Sequence, residues 1–363
     1  MCIRDSRCFS DHEFEGAGIV LQEDLTDCDV LMGVKEVKTD YLIENKTYLF
    51  FSHTAKRQSF NRSLLQEILK KKIRLIDYEY LTRSNNTRVV AFGKWAGIVG
   101  AYNGLRAYGL RKNVFDLKPA HLCKDLSELL EELKKVNIGN SRVVITGGGR
   151  VAGGAMKILD AAGIRKITPD NFLSRNFDSP VYSQLDPWHY TRRKDGEIFS
   201  FDHFVRHPEA YENSFRPYAM RSDIYIACHY WDPNAPHLIT PEMIQEPEFP
   251  VKVIADISCD IDGPIRSTIR ASTIAEPFYG YDPRKGIETD PFLEGSITVM
   301  AVDNLPGELP RDASADFGEA LIDFVIPALK GNPDDGMLER ATIANEGELT
   351  ERYKYLQGYV NGI

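Results

Sequence analysis

Hydrophobic residues in the first quarter of the chain form short continuous runs separated by amphipathic stretches. Residues 29–34 and 47–52 are nearly all apolar, which is typical of parallel strands covered on both faces. Leucine and isoleucine recur at helical spacing within 59–72, and 73–76 is a further apolar run. This order predicts strand, crossover helix and strand, the unit of a doubly wound α/β sheet.

Ionisable side chains follow each of these predicted strands. Lys35 follows the first, His53 the second, and Asp77 and Glu79 the third. Because ligands of such sheets bind beyond the carboxyl ends of the strands, these residues are candidates for a site. The alternatives are solvated strand-end charges and, for His53, a hydrogen-bonded core histidine.

A glycine turn lies near the middle of the chain. The sequence predicts a strand over 142–146, the turn GGGRVA over 147–152 and a helix over 153–162. Gly147 permits a tight turn, Gly149 lets the backbone approach a pyrophosphate, and Ala152 allows close helix packing. We therefore predict a dinucleotide site; a packing turn and an adenosylmethionine site are the alternatives.

The remaining pattern completes a second α/β domain. Small and apolar residues over 93–110 predict a long helix that bridges the domains, and later strands are predicted at 164–168, 223–228, 251–256 and 296–302. The strand after the glycine turn ends at Thr168, where an NAD enzyme usually carries an acid, and Asp170 follows two residues later. This position leaves NAD and NADP open. Polar and aromatic residues over 174–218 are interpreted as an insertion outside the core.

Composition narrows the class of protein. The 363 residues suit two domains, and 44 Lys+Arg against 53 Asp+Glu give a formal charge of −9, which disfavours nucleic acid. No apolar run is long enough for a membrane span. The six cysteines contain no C-x-x-C pair, so we expect reduced thiols and a cytoplasmic protein. We predict no metal, a small-molecule partner, and a monomer or small homo-oligomer.

Together these patterns predict an α/β fold with two Rossmann-like doubly wound domains and a cleft between them. Residues 7–92 and 310–363 form a discontinuous substrate and catalytic domain, because the helix predicted over 313–330 returns to it. Residues 93–309 form the dinucleotide-binding domain. Residues 1–6 (MCIRDS) match neither a signal nor a transit peptide and are expected to be non-native.

The segments GVKEV, FFSHTAK, IRLIDYE, DISCD and VDNLPGELPRDAS resemble the lysine-forming saccharopine dehydrogenases. They resemble still more closely the lysine–ketoglutarate reductase half of aminoadipic semialdehyde synthase. Both groups belong to the alanine dehydrogenase and transhydrogenase superfamily. Family members begin with a further strand–helix unit that carries an arginine for a substrate carboxylate, so we expect the first domain to be N-terminally truncated.

The resemblance also implies roles for individual residues. Lys35 and His53 correspond to the catalytic acid–base pair, and Glu36 and Glu79 to carboxylates that tune its proton affinity. The implied substrate-binding residues are Lys56, Arg88 and Phe92. The implied cofactor-binding residues are Gly147, Gly149, Arg150, Val151, Thr168, Tyr230, Val302, Asp303, Asn304 and Leu305.

The implied reaction is the NAD- or NADP-dependent interconversion of saccharopine with L-lysine and 2-oxoglutarate. Oxidation requires a neutral secondary amine and an activated water, so two bases are useful. The sequence does not assign acid and base individually to Lys35 and His53. The fungal saccharopine dehydrogenases carry a histidine at the position of Asn304. The sequence therefore does not decide between the saccharopine dehydrogenase and the lysine–ketoglutarate reductase branches. An alanine-dehydrogenase-like enzyme and a dinucleotide-binding protein without activity are the alternatives.

Overall fold

A computed structural model describes residues 8–333 and 335–362, so the predicted non-native segment 1–6 lies outside the described residues. The chain divides into two compact units. The first contains the described residues up to Ala91 and those from Ser314 onward, and the second is Phe92–Ala313. The predicted domains divide instead after residues 92 and 309. Both units are mixed α/β with parallel strands, which confirms the predicted fold class.

Fifteen strands occur in the described residues. They are β1 Val30–Lys35, β2 Thr47–Phe51, β3 Arg74–Asp77, β4 Arg142–Thr146, β5 Arg165–Lys166, β6 Val181–Leu185, β7 Thr191–Arg193, β8 Tyr211–Asn213, β9 Ile224–Ala227, β10 Val253–Asp256, β11 Phe278–Asp282, β12 Ile287–Thr289, β13 Ile297–Met300, β14 Thr342–Asn345 and β15 Glu348–Leu349.

The α-helices of the described residues vary from single turns to a helix of 20 residues. They are α1 Asp11–Gly16, α2 Arg62–Lys70, α3 Gly93–Lys112, α4 Leu126–Glu132, α5 Arg150–Ala161, α6 Pro169–Ser174, α7 Pro187–Tyr190, α8 Phe201–Arg206, α9 Arg216–Ala219, α10 Pro241–Ile244, α11 Pro310–Ala320, α12 Ile326–Leu329, α13 Met337–Ala341 and α14 Gln357–Asn361. A π-helical turn, Leu321–Val325, joins α11 to α12.

The sheet of the first unit has the order β1-β2-β3-β14-β15, in which β1, β2 and β3 are parallel. The prediction that the first strand is covered on both faces is wrong for β1. It is the edge strand of the described sheet, and Val30, Met32 and Val34 are 39%, 40% and 45% exposed. The local sequence pattern does not predict β14 and β15, which join through Glu346 and Gly347, both at positive φ, as in a two-residue hairpin.

The sheet of the second unit has the order β12-β11-β13-β10-β9-β4-β6-β5. Strands β13, β10, β9, β4, β6 and β5 are parallel, and β11 and β12 add in antiparallel fashion. The interpretation of 174–218 as an insertion outside the core is wrong for β6, because this strand lies between β4 and β5 and four of its five residues are buried. Its backbone hydrogen bonds to β4 place it in the sheet.

Helix α3 packs tightly against α5, which explains the small residues in both. A Cβ atom on Gly97 would lie 1.9 Å from the carbonyl oxygen of Val151, and one on Gly154 would lie 2.1 Å from that of Lys94. These approaches exclude any larger side chain at the two glycines. The contact fixes α5, and therefore the glycine turn at its start, against the core of the second unit.

Two classes of feature are absent from the part of the chain that the structure describes. None of the helices in that part combines the length and the apolar character that a membrane-spanning helix needs. No group of three or more His, Cys, Asp or Glu side chains there is placed to hold a metal ion.

Candidate functional site

The carboxyl ends of β1, β2 and β3 meet at one edge of the sheet in the first unit. Lys35, the last residue of β1, pairs with Phe51, the last residue of β2. His53 follows β2 by two residues, and Glu79 lies in the short turn Tyr78–Tyr80 that follows β3. The predicted strand ends therefore share an edge, as the topology of parallel strands requires.

A buried hydrogen-bond network joins the ends of β2 and β3. Asp77 Oδ2 accepts hydrogen bonds from Ser52 Oγ at 2.5 Å and from the Ser52 backbone N–H at 3.1 Å. Asp77 Oδ1 accepts from the backbone N–H of Glu79 at 2.8 Å. Burial raises the pKa of the Asp77 carboxyl, against the lowering effect of these donors. The network fixes the backbone on both sides of the candidate site, a role that the sequence did not reveal.

His53 adopts a left-handed backbone conformation, with φ of 54°. This region is uncommon for residues other than glycine and is enriched at functional sites. The short 3₁₀ turn Thr54–Lys56 follows, and it returns the Lys56 side chain towards His53. As a result Lys56 Nζ lies 3.2 Å from His53 Nδ1. Because an ammonium group can only donate, the Nδ1 of a neutral His53 accepts this hydrogen bond.

Glu79 gathers three basic side chains. Its Oε2 lies 3.2 Å from Lys56 Nζ and 3.6 Å from His53 Nδ1, and its Oε1 accepts a hydrogen bond from Arg88 at 3.0 Å. The Glu79 side chain is 12% exposed, whereas those of Lys56 and Arg88 are 43% and 52% exposed. The carboxylate is thus largely buried under cations that solvent and small anions can reach. We call these four residues the Glu79 cluster.

Lys35 and Glu36 do not join the Glu79 cluster. Both are exposed, and no side-chain hydrogen bond or ion pair of either occurs with the described residues. Lys35 nevertheless lies on the strand next to β2, at the same edge. Their predicted roles stay predictions.

The glycine turn of the second unit has the conformation and the space that a dinucleotide requires. Gly147 has a φ of +100°, and a Cβ atom there would lie 2.6 Å from the carbonyl oxygen of Cys228. Gly149 has open space around it and precedes α5 without a side-chain cap. A twelve-residue helix begins at this open position, and the N-terminus of a helix attracts a phosphate.

Beneath this turn lies a buried polar chain. His229 Nδ1 lies 2.7 Å from Thr146 Oγ1, which lies 2.9 Å from the hydroxyl of Tyr225. Burial lowers the pKa of His229 to about 4, so its imidazole is neutral at physiological pH. If Tyr225 donates to Thr146 and Thr146 donates to Nδ1, the ring proton lies on Nε2, which is buried and without a hydrogen-bond partner among the described residues.

The other residues implied by the resemblance fall into two groups. The side chains of Val302 and Leu305 are buried in the core of the second unit, so these two residues can contact a ligand only through backbone atoms. Val151 and Phe92 are partly buried against the same core. The exposed residues are Arg150, Thr168, Tyr230, Asp303 and Asn304. Thr168 follows β5, which β6 separates from the glycine-turn strand β4.

Sequence comparison identifies two consecutive family domains. The N-terminal domain of alanine dehydrogenase/PNT matches residues 4–99, and its C-terminal domain matches residues 129–352. The mitochondrial alpha-aminoadipic semialdehyde synthase of Mus musculus is 32% identical, with 97% of this chain and 43% of that protein covered. The chain therefore spans less than half the length of this relative.

Shorter relatives and solved structures agree with this match. The saccharopine dehydrogenase [NAD(+), L-lysine-forming] of Neurospora crassa is 26% identical, with 87% of this chain and 79% of that protein covered. A solved L-alanine dehydrogenase has a TM-score of 0.62 at 16% identity, with 98% of this chain and 87% of that chain covered. The resemblance predicted from the sequence is confirmed, and the chain belongs to the alanine dehydrogenase/PNT family.

Proposed function

We propose that the chain is a pyridine-nucleotide-dependent oxidoreductase that interconverts saccharopine with L-lysine and 2-oxoglutarate, with NAD or NADP as cofactor. The observation that carries this proposal is the Glu79 cluster, which collects an imidazole and two accessible cations on one buried carboxylate. The names of the matched relatives support the substrate class.

The cations of the cluster suit a substrate with several carboxylates. Lys56 and Arg88 contact opposite oxygens of Glu79, and each keeps about half of its side chain exposed. An incoming carboxylate can therefore bind either group while Glu79 holds it in position. The negative charge of Glu79 also offsets part of the positive charge of Lys56 and Arg88. These two cations therefore have a partner before a substrate carboxylate binds.

The proton transfers of the reaction need groups at the sheet edge of the first unit. The dinucleotide supplies the hydride acceptor. A base takes the proton that leaves the secondary amine neutral, and loss of hydride from the adjacent carbon leaves an iminium ion. Water adds to that carbon as a base removes one of its protons. The carbon–nitrogen bond then breaks as the lysine nitrogen is protonated and the new hydroxyl group loses its proton to become the oxo group of 2-oxoglutarate. We assign these transfers to His53 and Lys35 together, and we expect Glu36 and Glu79 to tune them.

The glycine turn fits the dinucleotide. Gly147 and Gly149 provide the tight turn and the open approach to the N-terminus of α5. The other residues that we propose as cofactor contacts are Arg150, Val151, Thr168, Tyr230, Val302, Asp303, Asn304 and Leu305. Phe92 is proposed as a substrate contact. The cytoplasmic location and the monomeric or small oligomeric state stay predictions.

The substrate assignment is tested with the purified chain by following reduced nicotinamide. Saccharopine with NAD+ or NADP+ is one arm, lysine with 2-oxoglutarate and NADH or NADPH is the second, and pyruvate with ammonium is the third. We expect turnover in the first two arms. Turnover of pyruvate and ammonium alone would support the alanine-dehydrogenase alternative, and dinucleotide binding without turnover in any arm would support the non-catalytic one.

The proton-transfer assignment is tested with His53→Gln and Lys35→Met. Loss of a general acid or base costs about 10²- to 10⁴-fold in kcat, so we expect losses of that order and a changed pH profile in each variant. Lys70→Met, which removes an exposed lysine of α2 paired with Glu67, is the matched control and should leave both unchanged. Unchanged profiles in both His53→Gln and Lys35→Met would overturn the assignment.

A further inference from the structure

Two histidines lie one helical turn apart at the end of helix α8 in the second unit. His203 lies within α8, and the helix ends before His207. The backbone N–H of His207 donates to the carbonyl oxygen of His203 at 2.8 Å, the bond of a regular helical turn. Their ring centroids are 5.0 Å apart, with an angle of 46° between the ring planes. The two imidazoles are therefore direct neighbours, and they belong neither to the Glu79 cluster nor to the glycine turn.

The Nδ1 atom of each ring has an acceptor of its own. His203 Nδ1 lies 3.2 Å from the hydroxyl of Tyr211. Because Tyr211 donates its hydroxyl hydrogen to the carbonyl oxygen of Ser200 at 3.1 Å, its oxygen accepts from His203. His207 Nδ1 lies 3.4 Å from Glu209 Oε1, and a carboxylate can only accept. We therefore assign the proton of each neutral ring to Nδ1, which leaves the lone pair of Nε2 for a ligand.

One ring of the pair is held in place and the other is accessible. Tyr211, the partner of His203, is 2% exposed and lies in β8, which pairs with β7. Its ring packs edge-on against Phe204 of α8, with 4.9 Å between centroids. The side chains of His207 and Glu209 are instead more than half exposed. The pair thus combines an imidazole fixed by the packed structure with one that solvent and ions can reach.

We propose that His203 and His207 bind one divalent transition-metal ion, such as Zn²⁺ or Ni²⁺, through their Nε2 atoms. Metal-binding histidines commonly donate the other ring N–H to a carboxylate or another oxygen, as both rings do here. With metal–nitrogen distances of about 2.0–2.1 Å, two imidazoles on one ion have centroids about 4.5–5 Å apart, which agrees with the spacing of this pair. No third His, Cys, Asp or Glu side chain of the described residues is placed to join them, so water completes the coordination.

The metal site is independent of the proposed function, because it needs neither a dinucleotide nor a substrate. The sequence predicts no metal, since the spacing of His203 and His207 matches no complete metal-binding motif; the ring partners become evident only in the structure. Helix α8 has six residues, a length at which a helix is marginal by itself. An ion that binds this turn only in its folded form stabilises it. Imidazole suits Zn²⁺, Ni²⁺ and Cu²⁺, whereas Mg²⁺ and Ca²⁺ prefer oxygen ligands.

The first test measures the affinity for the metal alone. The full chain, His203→Gln and His207→Gln are titrated with Zn²⁺, Ni²⁺ and Mg²⁺ by isothermal titration calorimetry. We expect each variant to raise the Kd of Zn²⁺ and Ni²⁺ at least about ten-fold, because one of two protein ligands is lost, and Mg²⁺ not to bind. His12→Gln is the matched control. It removes an exposed histidine whose Nδ1 also lies 3.4 Å from a carboxylate, that of Glu15, and should change the Kd by less than about two-fold.

The second test uses the wild type only, so it holds even if a variant folds poorly. Zn²⁺ at ten times its Kd should slow the modification of His203 and His207 by diethyl pyrocarbonate at least about five-fold, measured by peptide mass spectrometry, and leave that of His12 unchanged. Weaker binding in both variants at an unchanged metal-free melting temperature supports the proposal. Absence of Zn²⁺ and Ni²⁺ binding, equal affinity in the wild type and both variants, or modification that Zn²⁺ does not slow would overturn it.

Discussion

Glu308 accepts a hydrogen bond from Asn103 inside the second unit, with 2.8 Å between Oε1 and Nδ2. Glu308 is 1% exposed, and His121 Nδ1 lies 3.9 Å from its other oxygen. Burial raises the pKa of Glu308 from 4.5 to about 7, against the lowering effects of Asn103 and Arg106. The bond connects helix α3 to the turn Leu305–Glu308, which begins at one of the proposed cofactor contacts.

We expect Glu308 to make the folded chain less stable as the pH rises. Below pH 4.5 the carboxyl is protonated in both the folded and the unfolded chain. Between about pH 4.5 and 7 it is ionised in the unfolded chain but still protonated in the folded one, so the free energy of unfolding falls as the pH rises. Above this range the carboxyl is ionised in both states, and the free energy of unfolding no longer changes on its account. Glu308→Gln keeps an acceptor for Asn103 and should gain about 3 kcal/mol relative to wild type across this range. Urea unfolding at several pH values measures the difference.

The control for this prediction is Glu131→Gln, which removes an exposed acid of α4 paired with Lys134. Its free energy of unfolding should stay within about 0.5 kcal/mol of the wild-type value. A constant difference between Glu308→Gln and wild type over the same range would contradict the prediction.

Gly154 and Gly153 are adjacent in α5 but should respond differently to alanine. A Cβ atom on Gly154 would lie 2.1 Å from the carbonyl oxygen of Lys94, whereas one on Gly153 meets nothing within 4 Å. We expect Gly154→Ala to lower the free energy of unfolding by about 3 kcal/mol, because α3 and α5 must separate. Gly153→Ala should raise it by about 0.5–1 kcal/mol, because alanine favours helices. Equal changes in the free energy of unfolding of the two variants, measured by chemical denaturation, would show that α3 and α5 pack less closely than these distances indicate.

Ser52→Ala should weaken the connection between β2 and β3. The variant removes the 2.5 Å hydrogen bond to Asp77 and leaves a buried carboxyl with one donor fewer. We expect a loss of about 1–3 kcal/mol in the free energy of unfolding, measured by urea denaturation. Ser59→Ala, at an exposed serine, is the matched control. A loss no larger than that of the control would mean that water replaces the hydroxyl.

The Glu79 cluster should behave as a coupled unit in catalysis. Glu79→Gln leaves Lys56 and Arg88 without their carboxylate, so we expect kcat/KM for saccharopine to fall about ten- to a hundred-fold. In a double-mutant cycle with Lys56→Met, the two effects should differ from additivity by about 1 kcal/mol. The corresponding cycle of Glu67→Gln with Lys70→Met, a pair on α2 in which Lys70 is exposed and Glu67 is partly buried, should be additive and without effect. Additive losses at Glu79 and Lys56 would contradict coupling.

The local patterns of the sequence predicted most elements of the two units. Apolar runs predicted β1, β2 and β3, and the glycine turn predicted β4 and α5, because both patterns depend on neighbouring residues along the chain. The same patterns did not predict β6, because this short buried strand lies between polar stretches of the sequence. The residues on either side of β6 do not indicate which strands it pairs with.

The sequence likewise predicted some features of the candidate site and not others. The sequence determined which residue types stand at the ends of strands, and so indicated Lys35, His53 and Glu79, while the family resemblance added Lys56 and Arg88. The tertiary structure decided that Glu79 holds Lys56, Arg88 and His53 together. It also decided that β6, and not β5, lies beside the glycine-turn strand β4. Turn formation and periodicity are local, whereas strand order follows from hydrogen bonds and packing between residues distant in the chain, which no local pattern specifies.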